Sequence, residues 1–270
     1  MTTSNDEVIL AHYRQIAQTF GASPRSTMED DFVREKELEW ILTYRDLLSR
    51  QSQRSLHILD VGCGNGYALD KLCANAASDR VTGLDFSEEL LNITRGRNLP
   101  NCTLVRGDVR QLQFEDETFN YVYTERCLIN ILDPHEQVAA IREIARVLRT
   151  GGDYLMIECF TDGLENNNKA RADCGLPPIP EAHHNRYFEK DRVFSAVRNI
   201  FDMVDVREFG DDVALCSNFL SSYYFTARVL YPSLLHGTEV VRNSEVAKFF
   251  SFLPPMGNYS PIQAFVLRKI

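Results

Sequence analysis

Apolar positions along the chain keep two rhythms. Through the first fifty residues they recur at helical spacing. Val8, Ile9, Tyr13, Ile16, Ala17 and Phe20 share one face of a helix predicted over residues 6–20, and Gly21-Ala22-Ser23-Pro24 stops it. A second helix is predicted over 29–50, with Phe32, Val33, Leu38, Ile41, Leu42 and Leu48 turned inward. From residue 57 onward the rhythm changes to short apolar runs separated by helical stretches. Ile58, Leu59 and Val61 read as a buried strand, and further strands are predicted at 80–85, 103–109, 119–124, 153–159, 203–209 and 262–267. Helices are predicted to open at Tyr67 and after Ser87, a plausible N-cap. Another opens at Asp133-Pro134-His135-Glu136 (N-cap, N1 proline and N3 glutamate) and stops at Gly151-Gly152, and one more spans 191–200. Short strands alternating with helices predict an α/β chain with a mostly parallel sheet.

The first strand, closed by Asp60, runs straight into Gly62, Gly64 and Gly66. Glycine there lets the backbone turn sharply and approach a ligand, because no Cβ intervenes. A dinucleotide fingerprint has the spacing G-x-G-x-x-G. Here the third glycine comes one residue early, and Tyr67 stands where that fingerprint has glycine. The Asp60 carboxylate would repel a pyrophosphate and suit a ligand with an ammonium group. Asp85 closes the second strand about 20 residues beyond the glycines, the distance at which an acid meets ribose hydroxyls. Asp108 closes the third. Acids at the ends of successive strands point to a binding site, since open α/β sheets bind ligands at the carboxyl ends of their strands.

Asp60, Gly62, Gly64 and Gly66 resemble motif I, D/E-x-G-x-G-x-G, of the class I S-adenosylmethionine (SAM) methyltransferases. Gly83-Leu84-Asp85-Phe86-Ser87 resembles motif II of that family. Residues 114–122 are similar to its next strand, with Asn120 in place of the usual aspartate, and 147–158 resemble the segment around its LKPGG signature. The resemblance covers residues 55–160. It implies a Rossmann-like sheet of seven strands, mostly parallel, with an antiparallel last strand. It also implies a helical N-terminal lid over 1–50 and a core over 51–270, with acceptor-facing inserts after strands 5 and 6 at 161–187 and 211–260. SAM is the implied cofactor. Asp60, Gly62, Gly64 and Gly66 would cradle it, Asp85 would take the ribose, and Phe86 would pack on adenine. The Asp108 carboxylate and the Val109 N–H would read the adenine edge. Glu125 would lie near the methyl group, and Tyr13, with Thr27 and Met28 beside it, would close over the site.

The sulfonium of SAM makes its methyl carbon electrophilic, so an acceptor needs chiefly to be held in line behind it. A hydroxyl acceptor also needs a base. His183 and His184, in the loop after the fifth strand, are the predicted bases. Arg126, Glu158, Asn185, Tyr223 and Tyr224 are the predicted acceptor contacts. The aromatic face of residues 219–230 is equally readable as core packing. A net charge of −9 weighs against nucleic acid or an anionic membrane as the main partner. No run approaches the roughly 20 apolar residues of a membrane span, and Met1 to Glu7 lacks the regions of a signal peptide. The seven cysteines are scattered with no C-x-x-C, which reads as reduced thiols of a cytoplasmic chain, without a zinc site. The expected function is methyl transfer from SAM to a hydroxyl of a small molecule or glycan-related metabolite. The alternatives are N-methyl transfer to a small amine, a SAM-binding protein without transfer, and a nicotinamide oxidoreductase, which Tyr67 disfavours. A small-molecule acceptor is the expected partner, and a homodimer is compatible with the sequence.

Overall fold

The computed structural model describes residues 5–270 apart from 27, 53, 76–77, 206–214, 236 and 238. Two helices, α1 (Asn5–Phe20) and α2 (Asp31–Ser52), precede the sheet. Its strands are β1 (His57–Val61), β2 (Arg80–Asp85), β3 (Cys102–Arg106), β4 (Phe119–Glu125), β5 (Leu148–Cys159), β6 (Phe201–Met203) and β7 (Ile262–Lys269). They lie in the order β3-β2-β1-β4-β5-β7-β6. Strands β1 to β5 pair in parallel, and β7 runs antiparallel to both β5 and β6. This is the Rossmann-like sheet expected from the sequence, with its antiparallel last strand. The order reverses between β1 and β4, and a crevice opens at such a switch point.

Helices α3 (Tyr67–Asn75), α4 (Glu88–Arg95), α5 (Pro134–Val147), α6 (Thr161–Asp173) and α7 (Lys190–Val197) connect the strands. Local chemistry starts two of them where the sequence predicts. The Ser87 hydroxyl accepts from the Leu90 N–H at the head of α4, and the Asp133 carboxylate accepts from the His135 N–H at the head of α5. The stretch after β6 holds α8 (Ser221–Phe225), a π turn (Thr226–Leu230), α9 (Tyr231–Leu234) and α10 (Glu245–Ser251). Ile58, Leu59 and Val61 of β1 are fully buried, as a central strand covered on both faces requires.

Three boundaries differ from the sequence reading. α5 ends at Val147, and β5 already begins at Leu148. Leu148 pairs with Phe119 and Asp153 with Tyr121, so the residues between them bulge out, with Gly151 at φ +75°. The glycine pair therefore serves an irregular strand and does not end a helix. β3 closes at Arg106, which leaves Asp108 and Val109 in the turn beyond it. β6 starts earlier than predicted, at Phe201, and residues 206–209 of the predicted strand lie outside the described residues. Among the described residues no helix is long and apolar enough to cross a membrane.

The glycine turn rests directly on α4. Gly66 has φ +76°, and a Cβ there would lie 2.5 Å from Thr94 Cγ2. The Thr94 hydroxyl donates to the Gly64 carbonyl at 2.8 Å, which holds the two elements in contact. Gly66→Ala is therefore expected to cost about 3 kcal/mol, from left-handed backbone strain and overpacking together. Thermal denaturation of the variant measures it, and an unchanged melting temperature would refute the close packing.

Candidate active site

The carboxyl ends of β1, β2 and β4 wall a cavity under α1. Its lining includes Tyr13, Asp60, Gly62, Gly64, Asp85, Phe86, Asp108, Val109 and Glu125. Gly62 and Gly64 hold left-handed backbone, at φ +83° and +54°, and a Cβ on Gly62 would sit 2.5 Å from Cys127 Sγ. Only glycine leaves that wall open. Asp85 is clamped between two backbone donors: the Gly64 N–H reaches Oδ2 at 2.7 Å, and the Ser87 N–H reaches Oδ1 at 2.8 Å. Burial pushes its carboxyl up to about 6, against the pull of those N–H groups. Asp60 is 2% exposed, and burial, opposed by the neighbouring Tyr123 hydroxyl, raises its carboxyl well above the usual range.

A buried ion network closes the end of β4. Arg126 Nε donates to Glu37 Oε1 at 2.7 Å and its other arm meets Glu125 at 3.0 Å, while Arg34 stands 3.5 Å from Glu125. Burial, opposed by Arg126, pushes Glu37 up to about 7. Burial also works to raise Glu125, but Arg34 and Arg126 outweigh it and hold that carboxyl below its ordinary value. Arg126 itself has φ +53°, an uncommon backbone state for a bulky residue.

A second cavity lies beyond this network, with a space of about 1200 Å³ counting its open mouth. It shares Tyr13, Arg126 and Asn130 with the first. The Tyr13 hydroxyl donates to Asn130 Oδ1 at 2.7 Å, and Asn130 Nδ2 donates to Asn185 Oδ1 at 2.9 Å, so one hydrogen-bond chain runs along the shared wall. His12, His184, Asn185, Tyr223, Tyr224 and Arg228 line the rest, with Glu29 and Asp30 at the side of α2. His12 and His184 stack with ring centres 4.0 Å apart. Burial, helped by His12 and His183, pushes the His184 imidazole down to about 4, and burial with His183 lowers His12.

Residues 58–152 match the family model described as a methyltransferase domain. They form a methyltransferase domain. The demethylmenaquinone methyltransferase of Staphylococcus carnosus is 39% identical over 119 residues, 42% of this chain and 47% of that protein. Its counterpart from Staphylococcus aureus (strain MRSA252) is 37% identical over 111 residues, 39% of this chain and 44% of that protein. The chain thus matches less than half the length of these curated relatives. Among solved structures, Haemonchus contortus phosphoethanolamine N-methyltransferase 1, in complex with phosphoethanolamine and S-adenosylhomocysteine, aligns at TM-score 0.59 with 14% identity, covering 99% of this chain and 50% of that one. The [4+2]-cyclase SpnF aligns at TM-score 0.51 with 20% identity, covering 83% and 79%. These two likenesses show the fold, and the second is a reminder that this fold hosts unrelated chemistry.

SAM is the cofactor that the sequence motifs imply, and the residues present fit that molecule. Glycine at 62 and 64 keeps that stretch of the lining free of side chains, and the buried Asp60 carboxyl beside it suits a cationic ligand. Asp108 enters the site already engaged: Arg110 grips its carboxylate with contacts of 2.6–3.0 Å and also reaches Asp6 of α1 at 2.8 Å. Gly66 stands behind the cavity, against Thr94, and not in its wall.

Two predicted roles are corrected. His183 is exposed and lines neither cavity, whereas His12 from α1 takes the inward place beside His184. Glu158 is 0% exposed and lines neither cavity. Its carboxylate accepts from the Cys127, Leu128 and Ile129 N–H groups at 3.1, 2.9 and 3.3 Å, so it caps the turn after β4. Tyr223 faces the second cavity, but its hydroxyl already donates to Asp30 at 2.6 Å. Thr27 lies outside the described residues, and Met28 lines the second cavity, not the first. Sequence reasoning missed Asn65, which is fully buried and whose amide donates to the carbonyls of Gly21 and Ser23 at 3.0 and 2.8 Å. Arg97 reinforces that clamp by donating to the Asn65 and Ala22 carbonyls. An asparagine inside the glycine motif was the available signal for it.

Proposed function

We propose that the protein is a SAM-dependent methyltransferase that transfers the methyl group to a hydroxyl of a small molecule or glycan-related metabolite. The observation that carries this reading is the shared wall of Tyr13, Arg126 and Asn130 between the cofactor cavity and a second, larger cavity. In this reading Asp85 holds the ribose, Asp108 and Val109 the adenine edge, and Asp60 the cationic part of SAM. SAM supplies an electrophilic methyl group at the junction, and the second cavity orients the acceptor oxygen toward it. His184, backed by His12, accepts the proton. Of the four arginines in the wall of the second cavity, Arg228 faces no carboxylate among the described residues, which disfavours an ammonium-bearing acceptor. Residues 1–50 serve as a lid, since α1 spans both cavities and is tied down by Arg110 to Asp6, Arg14 to Glu89 and Tyr13 to Asn130.

Calorimetric titration with SAM, S-adenosylhomocysteine and NAD tests the reading, followed by a screen of hydroxylated metabolites, sugars and amines with labelled methyl. SAM and S-adenosylhomocysteine are expected to bind and NAD not. Binding of NAD alone would overturn the reading. The proton acceptor has its own signature. With the His184 imidazole held at about 4, kcat at saturating SAM should stay flat from pH 8 to about 5.5. His184→Ala should lower kcat roughly a hundredfold. An acid limb centred near the ordinary histidine value, or an unchanged kcat in the variant, would reject His184 as the base.

A further inference from the structure

Three of the four arginines of the second cavity already face carboxylates. Arg25 meets Asp31 at 2.7 Å, Arg126 meets Glu37 at 2.7 Å, and Arg242 meets Glu29 at 3.2 Å. Arg228 differs. Among the described residues no carboxylate stands within ion-pair distance of it, and its guanidinium instead lies over the Tyr224 ring, 4.0 Å from the centroid. It is half-buried, on the π turn of residues Thr226–Leu230, a helix irregularity that recurs at functional sites. Its charge acts on Tyr187, Tyr224 and Cys159, all in the cavity wall. Behind it stands a second guanidinium, this one buried. Arg171 of α6 donates to the Arg228 and Pro177 carbonyls and feels the charge of Arg228 as a repulsion.

A partly desolvated cation with no counter-charge beside it is costly, and a neighbouring cation adds to the cost. An anion brought by a ligand relieves both. The stacking also sets the geometry. With one face of the guanidinium on a ring, the N–H edge stays free to donate two parallel hydrogen bonds to an oxyanion. We propose that Arg228, held in plane by Tyr224, is the anion-recognition residue of the acceptor cavity, and that the methyl acceptor carries an oxyanion group, a carboxylate or a phosphate. The proposal rests on the reading of the second cavity as the acceptor site.

The test uses the full chain. S-adenosylhomocysteine is titrated first, into wild type, Arg228→Met, Arg228→Gln and Arg228→Lys. Benzoate, inorganic phosphate and the neutral isostere benzamide then follow. Wild type is expected to bind benzoate or phosphate and to bind benzamide at least tenfold more weakly. The arm that binds tells carboxylate from phosphate. Arg228→Met and Arg228→Gln should lose at least tenfold in oxyanion affinity with S-adenosylhomocysteine affinity unchanged. Arg228→Lys, which keeps the charge but not the fork, should fall between. Should one of the neutral variants fail to fold, the other two decide. Failure of wild type to bind either oxyanion, equal binding of benzamide, or full oxyanion binding by the neutral variants would overturn the proposal. If S-adenosylhomocysteine itself does not bind, the methyltransferase reading falls on that result alone, and the oxyanion titration into the cofactor-free protein still decides the role of Arg228.

Discussion

Asp85→Ala is expected to weaken SAM binding by a hundredfold or more while the sheet still folds. In the proposed complex the carboxylate accepts from two ribose hydroxyls, and hydrogen bonds to a charged group contribute about 1.5–3 kcal/mol each. Losing both amounts to at least two factors of ten. Asp85→Asn, which keeps the shape and one acceptor oxygen, should lose about tenfold. The native carboxyl adds a pH signature. Its proton affinity is raised to about 6 in the folded chain, above the ordinary 3.8. The folded cofactor-free protein therefore binds the proton more tightly than the unfolded chain, and this group's contribution to stability is full at low pH and lost as pH rises through about 6. SAM engages the ionised form, so its affinity should decline below pH 6, approaching tenfold per unit. Calorimetric titrations of wild type and both variants between pH 5 and 8 measure all of this. Near-wild-type affinity in Asp85→Ala would mean that the ribose lies elsewhere.

How much of this site was legible beforehand follows from how local each feature is. The glycine turn, Asp60 and Asp85 belong to strand–turn–helix units of a few residues, and their spacing alone carries the chemistry. Arg110 on Asp108 is local too, two residues apart, but its reach to Asp6 crosses from the turn after β3 to α1. The inward place of His12 depends on how α1 docks, which no pattern within α1 discloses. Glu158 looked like a site residue because it sits near the end of β5. It is a cap because the turn after β4 presents three unsatisfied N–H groups to it across the sheet. Arg228 was hidden for a further reason: the absence of a counter-charge among the described residues is a property of the assembled wall and has no sequence signal.

Arg126→Ala is expected to destabilise the fold by about 3–5 kcal/mol, because it leaves buried Glu37 without its hydrogen-bonded cation. For a chain of this size that corresponds to roughly 10 °C in Tm. Arg126→Gly should lose about 1 kcal/mol less, since glycine accepts the φ of +53° without strain. Adding Glu37→Gln to Arg126→Ala should restore much of the loss, and the double-mutant cycle measures the coupling. Glu37 gives the pH sign. Its carboxyl is raised from 4.5 to about 7 in the folded chain, so its contribution to stability is present below pH 4.5 and lost as pH rises through 7. Thermal melts at pH 5 and pH 8 should therefore separate Arg126→Ala from wild type more widely at the higher pH. Equal loss at both would show that the destabilisation comes from packing and not from the uncompensated charge of Glu37.

The position of β7 bears on the order in which the chain acquires its structure. The five parallel strands need only residues up to Cys159, and each pairs with a strand close to it in sequence. Among the described residues β6 has no sheet neighbour but β7, and β7 must find β5 across more than a hundred intervening residues. Closing so large a loop is entropically slow. The cofactor half can thus assemble while the chain is still being synthesised, whereas the wall that bears Tyr224 and Arg228 waits for residues 262–269. A molecule caught between these stages would hold the crevice at the head of β1 and lack the second cavity.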